Sequence, residues 1–133
     1  MKVLLIDGHV LFRDALGLQI RMRFRGLHVL QAGDVSTAVQ LLSRHPDVRL
    51  MLLDLDLLDG QGLQAIASLR EQAPAARLVV LSADDRPHTV QQAVGAGACG
   101  FVLKTVDGDT LARVLQVALD GGVYCRRAAR TRC

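Results

Sequence analysis

Four polar residues stand where this sequence stops being apolar, and their types fit one chemistry. Asp7 follows Val3-Leu4-Leu5-Ile6, and Asp54 follows Leu50-Met51-Leu52-Leu53. Ser82 follows Leu78-Val79-Val80-Leu81, and Lys104 follows Phe101-Val102-Leu103. A carboxylate is a nucleophile that can take up a phosphoryl group as an aspartyl phosphate. The group in transfer spreads negative charge over its oxygens, so cationic and hydroxyl donors must surround it. Lys104 would bring a point charge to one phosphoryl oxygen, and Ser82 a hydroxyl donor to another. The acids, with a backbone carbonyl, would hold Mg²⁺, a hard ion that prefers oxygen ligands in octahedral geometry. Taken singly, such an acid reads equally well as a helix cap or a loop residue. Four such ends together point to a site.

Side chains far apart in the chain can meet only if the elements between them are regular. Short runs of apolar residues read as strands buried on both faces of a parallel sheet. The carboxyl ends of such strands line the rim where open α/β sheets place their ligands. Between the runs, apolar spacings of three and four predict helices with one core-facing stripe. The first, after Val3–Ile6, carries Leu11, Ala15, Leu18 and Met22 on its stripe. The second follows Leu27–Leu30 and runs from Val35 to Arg44, with Asp34 as its N-cap. Leu63, Ile66 and Ala67 mark the third; Val90, Ala93 and Val94 the fourth; Leu111, Val114, Leu115 and Ala118 the fifth. Five β-α units in order imply an α/β fold, a doubly wound parallel sheet with right-handed crossovers.

Composition narrows the function classes. The 133 residues suit one domain with a proper core, 50% hydrophobic but only 3% aromatic. No apolar stretch approaches the ~20 residues needed to cross a bilayer, and the N-terminal run reads as a strand, not a signal peptide. A cytoplasmic protein without membrane contact is expected. Cys99, Cys125 and Cys133 show no metal-ligand spacing, and a sparse odd set suits a reducing compartment. Cys99 reads as a small hydrophobe within an apolar strand. The net charge of +3 gathers in Arg21, Arg23 and Arg25 and in Arg126, Arg127, Arg130 and Arg132. Without aromatic residues for stacking, these read as a solvated helix end and a linker, not a nucleic-acid surface. His28, His45 and His88 read as solvated, and Thr89 and Gln92 as outer-face helix residues. Residues 1–122 form the domain, and 123–133 read as a tail or the start of a linker.

The chain resembles the receiver domains of two-component response regulators from Lys2 to Gly122. The resemblance rests on Leu5-Ile6-Asp7, on Leu53-Asp54-Leu55-Asp56 with Gly60 and Gly62 downstream, on Val80-Leu81-Ser82-Ala83, and on Gly100-Phe101-Val102-Leu103-Lys104. His9 and Leu11-Phe12-Arg13 are similar to the subgroup whose receivers precede a LuxR-type helix-turn-helix domain. The resemblance implies a flavodoxin-like (β/α)5 fold with strand order 2-1-3-4-5. It makes Asp54 the phosphoacceptor, with a sensor histidine kinase as donor. Ser82 is then the mobile hydroxyl, Phe101 the aromatic switch, and Lys104 the phosphate-contacting lysine. Mg²⁺ would be held by Asp7, Asp54 and the backbone carbonyl of Asp56. Homodimer contacts would use either the face of the fourth helix, fifth strand and fifth helix, or that of the first and fifth helices. DNA would be bound only through an output domain absent from this chain.

Departures from the family pattern qualify that expectation. Two adjacent acids usually follow the first strand, whereas here the pair is Asp7-Gly8. The missing acid is the one that binds the metal directly, so Mg²⁺ binding should be weak and phosphorylation slow or absent. Imidazole is a poor Mg²⁺ ligand, which argues against His9 as a substitute. Val10 and Leu58 stand where prolines are usual, Thr105 removes a Lys-Pro step, and Phe101 cannot donate a hydrogen bond as tyrosine does.

Two other classes compete with a phosphoryl switch. A phosphorylation-independent pseudo-receiver, favoured by Gly8, would act as a protein-interaction module. Asp54-Leu55-Asp56 also fits the DxD motif of haloacid-dehalogenase-like phosphatases. Two β-α units precede that motif, however, and Asp107 and Asp109 follow Lys104 too closely to form the later acidic pair. A flavodoxin reading lacks the phosphate loop after the first strand. The expectation is therefore a non-enzymatic signalling domain.

Overall fold

The computed structural model describes residues 1–58, 62–84, 86–122 and 124–125. β1 (Lys2–Ile6), β2 (His28–Ala32), β3 (Val48–Asp54), β4 (Arg77–Ser82) and β5 (Gly100–Leu103) alternate with five helices. These are α1 (Val10–Arg23), α2 (Val35–Arg44), α3 (Gly62–Gln72), α4 (Pro87–Gly95) and α5 (Gly108–Leu119), with a short 3-10 helix at Leu55–Leu58. All strands pair in parallel in the order β2-β1-β3-β4-β5. A sixth, two-residue strand, β6 (Tyr124–Cys125), joins the open edge beside β5, in the stretch the sequence reads as tail. Cys133 and the arginines from Arg126 onward lie outside the described residues, as does Gly60.

Strand alternation divides the core in two. Leu4, Ile6, Met51, Leu53, Leu78, Val80 and Phe101 face α2, α3 and α4. Val3, Leu5, Leu50, Leu52, Val79, Leu81 and Val102 face α1 and α5. Both faces of β1, β3 and β4 are dry, which is why these strands read as unbroken apolar runs. β2 lies at the sheet edge and is only partly buried until Ala32. Asp34 caps α2 by accepting a hydrogen bond from the Thr37 N–H at 2.7 Å, and Asp107 caps α5 through the Thr110 N–H at 2.7 Å.

The structure corrects several expectations. The stripe assigned to the core on α1 faces outward: Leu11 is 86% exposed and Met22 72%, with Ala15 and Leu18 exposed as well. Leu16 and Ile20, flanked by Phe12 and Phe24, form the buried face instead. Both stripes have helical spacing and both are apolar, so periodicity alone did not choose between them. On α3, Ala67 is exposed, and Ala65, Ile66 and Leu69 are buried. Cys99 is buried but precedes β5, where its N–H donates to the Leu78 carbonyl at 2.8 Å. His45 is half-buried, with Nδ1 3.0 Å from Lys2 Nζ. No helix among the described residues is long and apolar enough to cross a membrane.

Candidate functional site

β1, β3 and β4 each change from apolar to polar in a single step at the carboxyl end. Ile6, Leu53 and Leu81 are buried core residues, and the next residues are Asp7, Asp54 and Ser82. The polar side chains therefore sit on the lid of the core, at 3%, 1% and 0% exposure. Register brings them side by side, since Ile6 pairs with Leu53, Asp54 with Leu81, and Ser82 with Leu103. The turn after β5 begins at Lys104, whose N–H donates to the Ser82 carbonyl at 3.0 Å.

The Lys104 ammonium lies at the centre of the rim. Its Nζ donates to Asp54 Oδ2 at 3.1 Å and stands 3.1 Å from Asp7 Oδ2 and 3.2 Å from His9 Nδ1. Its stem crosses Phe12, with Nζ 4.6 Å from the ring centroid. Asp54 Oδ1 accepts from the Asp56 N–H at 3.0 Å, which fixes the carboxylate plane. Asp7 Oδ1 accepts from the His9 N–H at 2.8 Å and lies 3.0 Å from His9 Nδ1. Asp7 Oδ2 accepts no hydrogen bond but pairs by charge with the Lys104 ammonium 3.1 Å away. Arg13 fixes the turn below by donating to the Asp7 carbonyl at 2.7 Å and to Gln31 Oε1 at 2.8 Å.

Ser82 belongs to a second group on the same rim. Its hydroxyl donates to Asp56 Oδ1 at 3.3 Å, and Asp56 Oδ2 accepts from the Ala83 N–H at 3.1 Å. The Ser82 Oγ accepts in turn from the Asp84 N–H at 3.0 Å. Asp84 also accepts from Arg86 and from the Thr89 hydroxyl, the latter at 3.1 Å, so Thr89 ties α4 to this loop. Phe101 is fully buried beneath the rim, paired with Val80 two residues before Ser82. Gly62, at the start of α3, lies directly against the Leu55 carbonyl, where a side chain at that position would collide. That close approach packs the 3-10 turn that carries Asp56 against the start of α3.

Charge and burial oppose each other here. Burial pushes the Asp54 carboxyl above the usual carboxylate range, and the Lys104 hydrogen bond only partly offsets it. Burial pulls Lys104 down, but Asp54 and Asp7 together outweigh it and hold the ammonium above its ordinary value. Asp84, exposed and paired with Arg86, lies well below the carboxylate range.

Of the predicted residues, Asp7, Asp54 and Lys104 converge directly. Ser82 and Asp56 pair beside them, and the Asp56 carboxylate faces Ser82. The sequence reading set His9 aside, yet Asp7, His9 and Asp54 each offer an atom to one cation-sized group spanning 4.8 Å. An acid and an imidazole two residues apart on a strand-end turn was the available signal.

The family described as response regulator receiver domain matches residues 3–116. The glycerol metabolism activator of Pseudomonas putida is 35% identical over 123 residues, covering 92% of this chain and 56% of that protein. The chain thus spans about half the length of the curated relatives it matches. A LuxR family DNA-binding response regulator from Silicibacter pomeroyi superposes with a TM-score of 0.85 at 26% identity, covering 96% of this chain and 98% of that one. A response regulator from Burkholderia pseudomallei, solved with a phosphorylated aspartic acid, a calcium ion and citrate, gives 0.77 at 28% identity, covering 90% of this chain and 69% of that one.

Proposed function

This chain belongs to the response regulator receiver domain family, and from that premise we propose that Asp54 accepts a phosphoryl group from a sensor histidine kinase. The observation that carries the reading is the Lys104 ammonium 3.1 Å from Oδ2 of a carboxylate only 1% exposed. A relative of the same fold from Burkholderia pseudomallei, solved with a phosphorylated aspartic acid, supports the same class of chemistry.

In the transfer, Asp54 Oδ2 forms a bond to phosphorus as the P–N bond to the kinase imidazole breaks. The electron pair of that bond stays on the imidazole nitrogen, which takes up a proton. Oδ1 remains held by the Asp56 N–H, so the carboxylate keeps its orientation. Lys104 follows the charge from Oδ2 onto a phosphoryl oxygen, a short movement for a flexible stem. Burial keeps water from the acyl phosphate and strengthens each of these contacts.

The new group adds about −1.5 to −2 charges beside Ser82. The Ser82 hydroxyl exchanges Asp56 Oδ1 for a phosphoryl oxygen, and the Ala83 N–H can follow. Asp84 and Thr89 carry that shift into α4. Phe101, without a hydroxyl, answers by packing alone, so the α4–β5–α5 face is the readout. Two faces suit a second copy of the chain: α4–β5–α5, and α1–α5, where Leu11, Leu18 and Met22 are exposed. DNA binding would fall to an output domain, as the name of the LuxR family DNA-binding relative suggests, and a cytoplasmic location goes with the kinase partner.

Asp7 and Asp54 fit Mg²⁺ as far as two carboxylates go, since Asp7 Oδ2 is buried without a hydrogen bond and faces the hollow. The Asp56 carbonyl is the third oxygen by family resemblance. When bound, the ion supplies positive charge to the phosphoryl oxygens. Gly8 adds no side chain, so the affinity is weak.

Gly8 also favours a second reading, a phosphate-free interaction module in which Lys104 permanently neutralises Asp7 and Asp54. Amide NMR spectra with beryllofluoride and Mg²⁺ separate the two. Phosphoryl switching predicts shifted signals around Asp54, Ser82 and Lys104, extending into α4. An unresponsive spectrum would leave the interaction module.

A further inference from the structure

We propose that Asp7, His9 and Asp54 form a site for a divalent transition-metal ion, with the His9 imidazole as a ligand that Mg²⁺ does not favour. This deepens the reading of the rim as a cation and phosphoryl site, and rests on that reading only for the cation. Gly8 leaves the turn after β1 without a second carboxylate, and the next residue, His9, brings its Nδ1 to the acids instead. His9 Nδ1 lies 3.0 Å from Asp7 Oδ1 and 3.6 Å from Asp54 Oδ2. Donors bound about 2.1 Å from one ion stand roughly 3–4 Å apart, so these atoms need little movement to share a metal.

Two further observations point to a cation here. Asp7 Oδ2 is a buried carboxylate oxygen without a hydrogen bond, directed into the hollow. The Lys104 ammonium already occupies the centre, at 3.1, 3.1 and 3.2 Å from Asp7, Asp54 and His9 respectively. The cradle is thus built around one positive charge. A metal ion entering it displaces an ammonium whose stem borders a cavity of about 240 Å³ lined by Phe12, Leu16, Leu103 and Val106. That cavity gives the apolar stem room to withdraw.

The donor set selects among ions. Mg²⁺ demands oxygen ligands and near-ideal octahedral geometry, and sheds water reluctantly. Two carboxylates with one imidazole suit Co²⁺, Zn²⁺ and their neighbours, whose affinity for nitrogen is far higher. His9 is 70% exposed at its side chain, so its ring coordinates without being stripped of solvent first. In the Nε2–H tautomer the Nδ1 lone pair faces the hollow, and the His9 backbone N–H keeps the ring beside Asp7.

The test uses Co²⁺, which reports coordination through its visible absorption and its location through broadening of nearby amide signals. A Cys125→Ser/Cys133→Ser background removes two thiols that would compete for the ion. One equivalent of Co²⁺ should bind, broaden the amides of residues 7–9 and 54–56, and resist displacement by a tenfold excess of Mg²⁺. His9→Ala should weaken Co²⁺ binding at least about tenfold and leave the Mg²⁺ affinity unchanged. Unaltered Co²⁺ affinity in His9→Ala, or ready displacement by Mg²⁺, would overturn the proposal. Intact mass after acetyl phosphate treatment of the same samples keeps the two readings apart. Co²⁺ held through His9 with no phosphoryl gain supports the metal site and defeats the acceptor role. Phosphoryl gain with Mg²⁺ and His9-independent Co²⁺ binding does the reverse.

Discussion

One peptide bond separates the two most different regions of this molecule. Leu53 is a fully buried core residue of β3, and Asp54, its neighbour, is a buried carboxylate facing another carboxylate and an ammonium. The same step occurs from Ile6 to Asp7 and from Leu81 to Ser82. Below the step, the side chains pack apolar against apolar and support folding. Above it, burial works against charge, and only mutual pairing keeps the rim tolerable. Such a rim costs stability, the trade expected of a functional site. Stability and the proposed function are therefore stacked along the same strands, one residue apart.

That contrast is testable by urea unfolding, from the largest effect to the smallest. Leu53→Ala removes a fully buried side chain from the α2/α3 side of the core and should cost about 3 kcal/mol. A loss below ~1 kcal/mol would mean that the core beneath the rim is looser than its burial implies. Lys104→Met keeps the stem over Phe12 but leaves Asp7 and Asp54 uncompensated. With the lysine side chain still 15% exposed, the loss should be about 2 kcal/mol at pH 7. Adding Asp54→Asn to that variant should recover most of it, because the repulsion between two acids goes with it.

Asp54→Asn alone should act in the opposite direction. The Asp54 carboxyl is raised by burial, so its ionised form opposes folding above the raised value. The substitution should stabilise the fold modestly at pH 7. That gain should fade as pH falls through the raised value and vanish below 3.8, the ordinary value, where the acid is protonated in both states. A destabilised Asp54→Asn would show that Lys104 pairing outweighs burial. Asp34→Ala gives the smallest effect and the opposite pH dependence. Its carboxylate is held below 3.8 by the Thr37 N–H, so its contribution is present above that value and lost as pH falls through the lowered one. A small drop in Tm at pH 7 that disappears in acid is expected.

Much of this was legible in the sequence because the two regions write different signals. Strands dry on both faces give unbroken apolar runs, so β1, β3, β4 and β5 stood out, and the polar residue ending each run marked the rim. Asp34 before a helical period fixed the start of α2. The orientation of α1 was not legible, since Leu11-Ala15-Leu18-Met22 and Phe12-Leu16-Ile20-Phe24 are both apolar stripes. In the structure the second packs into the core, and Gly17 on that side lets the helix sit close to Val29, Leu5 and Gln31. β6 was missed because two residues carry no period. The approach of His9 Nδ1 to the acids depends on its own N–H bonding Asp7, a local geometry that residue type does not announce.

The central claim is that Asp54 is a nucleophile in a rim built to receive a phosphoryl group. Intact mass spectrometry after acetyl phosphate treatment, with a divalent cation present, tests it most directly. The parent chain should gain one phosphoryl group and Asp54→Asn none. An unmodified parent, or equal modification of both, would contradict the account.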